Sequence, residues 1–101
     1  MSSINRRYEL SKEGDKDLEE IFDYTESQYD FDQAVEYLLE FEITFEILIE
    51  NPEIGRMRDE IKQGLRSFPK LSHVVFYRIL KGGIRIVRVL HESRDLPQFF
   101  P

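Results

Sequence analysis

The stretch SHVVFYRILKGGIRIVRVLH, residues 72–91, decides the fold. Two runs of β-branched and aromatic residues flank Lys81-Gly82-Gly83, and a glycine pair between such runs is a strong hairpin signal. Both runs are apolar at odd and even positions, so both strands are expected near the centre of a sheet with its two faces covered. The second run continues into ESRD and carries Arg85, Arg88, His91 and Arg94 along the strand and past its end. Such cations suit a catalytic edge, a rim that meets a partner, or a solvated strand end.

Upstream, GLRSFP (residues 64–69) predicts a shorter strand ending at Pro69, and MRDEIKQG (57–64) predicts a loop or a single turn of helix. NPEIGR ends a helix, because Pro52 cannot continue it and Gly55 gives a turn. That helix is predicted from about Gln33 to Glu50, with a main stripe of Ala34, Val35, Leu38, Phe41, Phe45, Leu48 and Ile49. Leu39, Ile43 and Ile47 widen the stripe beyond one face, which predicts either deep burial or a second surface for a partner. Asp30 or Asp32 is its cap. An earlier helix, Lys12 to Tyr29, is capped by Ser11 and shows Leu18, Ile21, Phe22, Thr25 and Tyr29 at spacings of mostly three and four. Gly14 near its start costs about 1 kcal/mol relative to alanine. RRYEL, Arg6 to Leu10, predicts a first strand. The order is β-α-α-β-β-β. The class is therefore α+β, a small two-layer domain with a helix hairpin packed on a mostly antiparallel sheet.

The totals agree with one domain over 1–101. The 101 residues include 41% hydrophobic ones, enough for one small core. There is no cysteine, which removes disulfides and cysteine-held metals, and His73 and His91 lie far apart in the chain, so neither a metal site nor any other cofactor is expected. No apolar run approaches the ~18 residues of a membrane span, and the first ten residues lack a signal-peptide core, so the expected compartment is the cytoplasm, with no membrane contact. The net charge of −6 is divided unevenly. Residues 1–55 hold four Lys/Arg against sixteen Asp/Glu, and residues 56–101 hold ten against four. An acidic and a basic surface should follow.

Nucleotide-binding glycine loops and serine or cysteine nucleophile motifs are absent. Metal-free RNA cleavage needs a base, an acid and cations for phosphate. His91 suits the first or second task, Tyr77 can donate a proton, and Arg66, Arg78, Arg85 and Arg88 can hold phosphate. An RNA ligand rewards a basic footprint, which a net charge of −6 does not provide.

Four stretches together resemble the ParE toxins of bacterial toxin–antitoxin modules, within the RelE/ParE superfamily. They are DLEEIFDYTESQYDFDQAVEYL (17–38), ENPEIGRMRDEIKQGLRSFP (50–69), SHVVFYRIL (72–80) and IRIVRVLHESRD (84–95). The resemblance runs from about Tyr8 to Phe100 and departs at Tyr29-Asp30-Phe31, where many relatives read an aromatic followed by glycine. It implies the small α+β toxin fold, inhibition of DNA gyrase by protein–protein binding, and a ParD-like antitoxin that binds operator DNA with one part and wraps the toxin with the other. On this reading no residue is catalytic. His91, Glu92, Ser93, Arg94 and Asp95 form a target-binding rim, and Arg56, Arg58 and Arg66 meet the antitoxin. RelE relatives cleave messenger RNA on the ribosome instead, which would give His91, Tyr77, Arg66, Arg78 and Arg88 catalytic work.

Overall fold

The structure is a computed structural model, and it describes residues 8–94 and 99–100. Seven elements follow one another: β1 Tyr8–Leu10, α1 Lys12–Gln28, α2 Phe31–Glu50, β2 Arg56–Met57, β3 Arg66–Lys70, β4 His73–Leu80 and β5 Gly83–His91. The five strands form one sheet in the order β1-β5-β4-β3-β2. All pairings are antiparallel except β1 with β5, which is parallel. The expected fold class holds, with one addition. The two-residue strand β2, within the segment expected to be a loop or turn, pairs with β3 and extends the sheet edge.

The hairpin at residues 72–91 is the centre of the sheet, as its two-sided apolar pattern requires. Val75, Tyr77, Ile84, Ile86 and Val89 join Ile21, Phe41, Phe45 and Leu48 of the helices in the main core. The opposite face carries a smaller core of Leu65, Phe76, Leu90 and Phe100. Gly82 adopts a positive φ of 84° at the turn, a conformation available to glycine at little cost.

The β4–β5 ladder slips by one residue. Tyr77 lies opposite Ile86, but Phe76 lies opposite Arg88, so Val87 is an extra residue in β5. The start of α1 holds this bulge. The Ser11 N–H donates to the Ile86 carbonyl at 2.9 Å, and the Ser11 hydroxyl donates to the Val87 carbonyl at 2.6 Å. The same hydroxyl oxygen caps the helix by accepting the Gly14 N–H at 2.8 Å. Helix and strand approach closely here. A Cβ on Gly14 would stand 3.1 Å from the Ile86 carbonyl oxygen and 3.3 Å from that of Val87. Gly14 therefore offsets its helix penalty by admitting the bulged strand.

Asp30 is the cap of α2, accepting the Gln33 N–H at 2.8 Å. Helix α1 ends at Gln28 and Tyr29 is its C-cap, 70% exposed, so Tyr29 leaves the apolar stripe assigned to it. Gly55 acts differently from a turn glycine. Its φ is not positive; instead the Tyr77 ring lies over it, and a Cβ there would fall 2.3 Å from the Tyr77 hydroxyl. That hydroxyl donates to the Pro52 carbonyl at 2.6 Å and accepts the Gly55 N–H at 3.0 Å, which pins the NPEIG loop to β4.

Candidate functional site

The bulge decides what meets at the open end of the sheet. An unbroken ladder from the Leu80–Gly83 pair would set Leu90 opposite His73. The extra residue Val87 places His91 there instead. The two histidines, far apart in sequence, are therefore cross-strand partners, with ring centroids 5.4 Å apart and nearly perpendicular planes. They sit in a groove of about 1150 Å³ between the helix hairpin and the sheet end. Tyr24, Tyr29 and Tyr37 line one wall, and Arg88, His91, Arg94 and Phe99 line another. Among the described residues no group of three or more His, Asp or Glu is placed to hold a metal ion.

His73 is half-buried. Its Nδ1 exchanges a hydrogen bond with the Tyr37 hydroxyl at 3.1 Å, and the Phe41 ring meets it edge-on at 5.8 Å. Burial, and next the neighbouring His91, push its pKa below the usual 6.5. A lowered native value means that the unfolded chain takes up this proton first as the pH falls. Stability should thus be greatest above about pH 6.5 and decline as the pH drops through the unfolded value toward the native one. Urea midpoints measured from about pH 8 to 5 should show a flatter acid limb for His73→Gln than for wild type. An unchanged limb in that variant would assign the acid sensitivity to another group.

The rim lies at the strand end. His91, Glu92, Ser93 and Arg94 are all exposed. The His91 Nδ1 accepts the Ser93 N–H at 3.1 Å and meets the Ser93 hydroxyl at 2.8 Å, so the ring closes the turn that follows β5. Arg94 lies over the Phe99 ring at 5.5 Å, and Arg88 lies over the same ring at 5.1 Å. Asp95, the fifth residue assigned to the rim, lies outside the described residues.

The residues considered for RNA cleavage do not converge. The Tyr77 side chain is fully buried in the main core and holds the NPEIG loop; burial pushes its pKa up, away from proton transfer near neutrality. Arg66 donates to the carbonyls of Glu53 and Gly55, fastening the same loop. Arg78 donates to the Gln63 carbonyl at 2.8 Å. It is five residues along β4 from His73, so about 16 Å separates that level of the sheet from His91. Arg85 pairs with Glu9 at the β1 side. Arg88 makes two bonds of 2.8 Å to the Asp17 carboxylate, which also accepts the Val89 N–H at 2.9 Å. Only His91 and Arg88 of the set reach the groove, and Arg88 is committed to Asp17.

Of the residues assigned to the antitoxin, Arg56 is exposed on β2. Arg58 bonds Glu60 at 2.7 Å and the Ser67 hydroxyl at 3.2 Å and stacks on Phe76, and Arg66 is engaged as described. Tyr37, His73, Asp17 and Phe99 complete the groove and carried no signal on their own. Their placement follows from the bulge, the helix packing and the seating of the Phe99 ring against Arg88 and Arg94.

The family description "ParE toxin of type II toxin-antitoxin system, parDE" matches residues 8–96. The chain belongs to the ParE toxin family. It is 42% identical to Toxin ParE1 of Mycobacterium tuberculosis over 94 residues, covering 92% of this chain and 96% of that protein. It is 39% identical to Toxin ParE1 of Caulobacter vibrioides over 90 residues, covering 87% and 91%. In fold it is similar to a chain of the structure titled "Chromosomal ParDE TA system from P. aeruginosa", with a TM-score of 0.71 at 18% identity, covering 86% of this chain and 96% of that one. Membership of the ParE family accounts for the order of the quoted stretches. The Tyr77 and Arg66 clip on NPEIG and the bulge under SHVVFYR and RVLH are their structural content in this ParE toxin.

Proposed function

We propose that this ParE toxin inhibits DNA gyrase by binding it through the rim of His91, Glu92, Ser93 and Arg94, with Asp95 as the next residue along. A ParD-like antitoxin neutralises it in the cytoplasm and carries the toxin–antitoxin complex to operator DNA. Among the described residues, no helix is long and apolar enough to cross a membrane. One observation carries the choice of binding over cleavage. Tyr77, Arg66, Arg78 and Arg88 are spread over the sheet and bonded to backbone carbonyls or to a carboxylate, which leaves His91 on an exposed rim with none of them free to share proton transfer or hold phosphate.

The second reading, a RelE-like metal-independent cleavage of ribosome-bound messenger RNA, draws on the meeting of His73, His91 and Tyr37 beside Arg94. Glu13, Glu20, Glu36 and Glu40 line the same groove and oppose phosphate there. The two readings part at two residues. His91→Gln should keep most of the toxicity, while Arg94→Glu should lower it about tenfold or more, because it places a repulsive or unpaired charge in a contact. Toxicity is read from growth after induction, with folding checked by circular dichroism. A loss on the order of 10²–10⁴-fold for folded His91→Gln, with Arg94→Glu near wild type, would favour the nuclease.

A further inference from the structure

The β3–β4 hairpin turns on a leucine at a position that suits glycine. Lys70 pairs with His73, so Leu71 and Ser72 alone make the turn. Leu71 has a φ of 58°, and among the described residues it is the only non-glycine residue with a positive φ. A two-residue turn in which only the first central φ is positive follows the type II′ pattern, whose first central residue is usually glycine. A side chain there costs free energy. The β4–β5 hairpin, by contrast, places Gly82 at its own positive φ. Both flanks of the leucine turn are tied down. Lys70 pairs with Glu40 of α2 at 2.9 Å, the Ser72 carbonyl accepts the Glu92 N–H at 2.9 Å, and the Tyr37 hydroxyl bonds His73 Nδ1 at 3.1 Å. Backbone strain persists only where the surroundings impose it, and it gathers at functional sites. Burial does not offset the strain, because Leu71 is 57% exposed. An exposed leucine by itself is ordinary; one held in a glycine conformation is not.

We infer that Leu71 is the apolar anchor of the target-binding rim and seats against an apolar patch of gyrase. The inference rests on the gyrase reading given above and adds one contact residue to it. Continuity with the rim selects this occupant. His73, two residues along the chain, is the cross-strand partner of His91, and the bond from the Glu92 N–H to the Ser72 carbonyl joins the turn to the rim itself. The described rim residues, His91, Glu92, Ser93 and Arg94, are all polar or charged. A specific interface surrounds a desolvated apolar centre with such a polar border, and Leu71 supplies the apolar part. A side chain presented on a fixed two-residue turn also loses little backbone freedom on binding. The same side chain thus weakens the free toxin and strengthens its contact, and the two effects can be measured apart.

The test uses two variants. Leu71→Asn removes the apolar side chain and puts in a residue that tolerates a positive φ, whereas Leu71→Met keeps an apolar side chain of similar volume. Supercoiling by purified gyrase is titrated with each toxin, and urea unfolding is followed on the same preparations. Leu71→Asn should raise the urea midpoint by about 0.3–1 M and yet need about tenfold more protein for half-inhibition. Leu71→Met should inhibit within about threefold of wild type. Purified antitoxin should reverse inhibition by all three proteins alike. Leu71→Asn that inhibits as well as wild type would overturn the anchor and leave the gyrase reading standing. So would Leu71→Met that loses as much as Leu71→Asn. A Leu71→Asn toxin that inhibits gyrase normally but resists the antitoxin would assign the residue to the antitoxin instead. Wild-type toxin without effect on gyrase would overturn both the anchor and the reading beneath it.

Discussion

Replacement of Asp17 by alanine is expected to cost about 3–5 kcal/mol. Asp17 is 7% exposed and answers three donors at once: two from Arg88 at 2.8 Å and the backbone N–H of Val89 at 2.9 Å. Its carboxylate pushes the pKa of Arg88 up, through their hydrogen bonds first, so the guanidinium stays charged at every accessible pH. Alanine would leave that charge half-buried without its partner and orphan the Val89 N–H just past the bulge. The change should remove a large share of the roughly 5–15 kcal/mol available to a small domain. With a urea slope of about 1–3 kcal/mol/M, the midpoint should fall by at least ~1 M. Glu9→Ala is the matched control. Its pair with Arg85 is also a carboxylate–guanidinium contact, but both side chains are largely exposed, so the loss should stay below about 1 kcal/mol. Equal losses for the two variants would show that Asp17 is not the lock between α1 and β5.

Phe45→Ala should cost a similar amount, about 3–5 kcal/mol, for a different reason. Phe45 is 1% exposed in the main core, with the Tyr8 ring at 4.9 Å and the Phe41 ring at 6.5 Å. Truncation opens a cavity between α2 and the β1 edge that rigid neighbours fill only in part. Ile43, two residues earlier, faces outward and is 53% exposed, so Ile43→Ala should shift the denaturation midpoint little. The contrast separates the buried face of α2 from its exposed face. A large loss at Ile43, or a wild-type midpoint for Phe45→Ala, would invert that assignment.

Much of this architecture was legible in residues 72–91 and in the two helical stripes. Periodicity reports which side chains are buried, and it separated Phe41, Phe45 and Leu48 from the surplus Leu39, Ile43 and Ile47. It does not report a bulge, because an extra residue in a strand apolar on both faces leaves the pattern unchanged. For that reason the meeting of His73 with His91 was not legible, although both residues were. Strand β2 escaped because two residues are too short for any period. Gly14 and Gly55 read as a helix cost and a turn, yet each marks a close approach, to the β5 carbonyls and to the Tyr77 ring, that only tertiary packing creates. Arg66, Arg78 and Arg88 read as phosphate ligands because sequence shows their charge and not the carbonyls and carboxylate that engage them.

The central claim, that this ParE toxin acts by binding DNA gyrase, is tested most directly by supercoiling of relaxed plasmid with purified gyrase and increasing toxin. The account predicts that supercoiling stops and cleaved plasmid accumulates, that Arg94→Glu requires about tenfold more protein for the same effect, and that antitoxin added beforehand restores activity. Normal supercoiling at high toxin excess, from protein that is folded and arrests growth in cells, would contradict it.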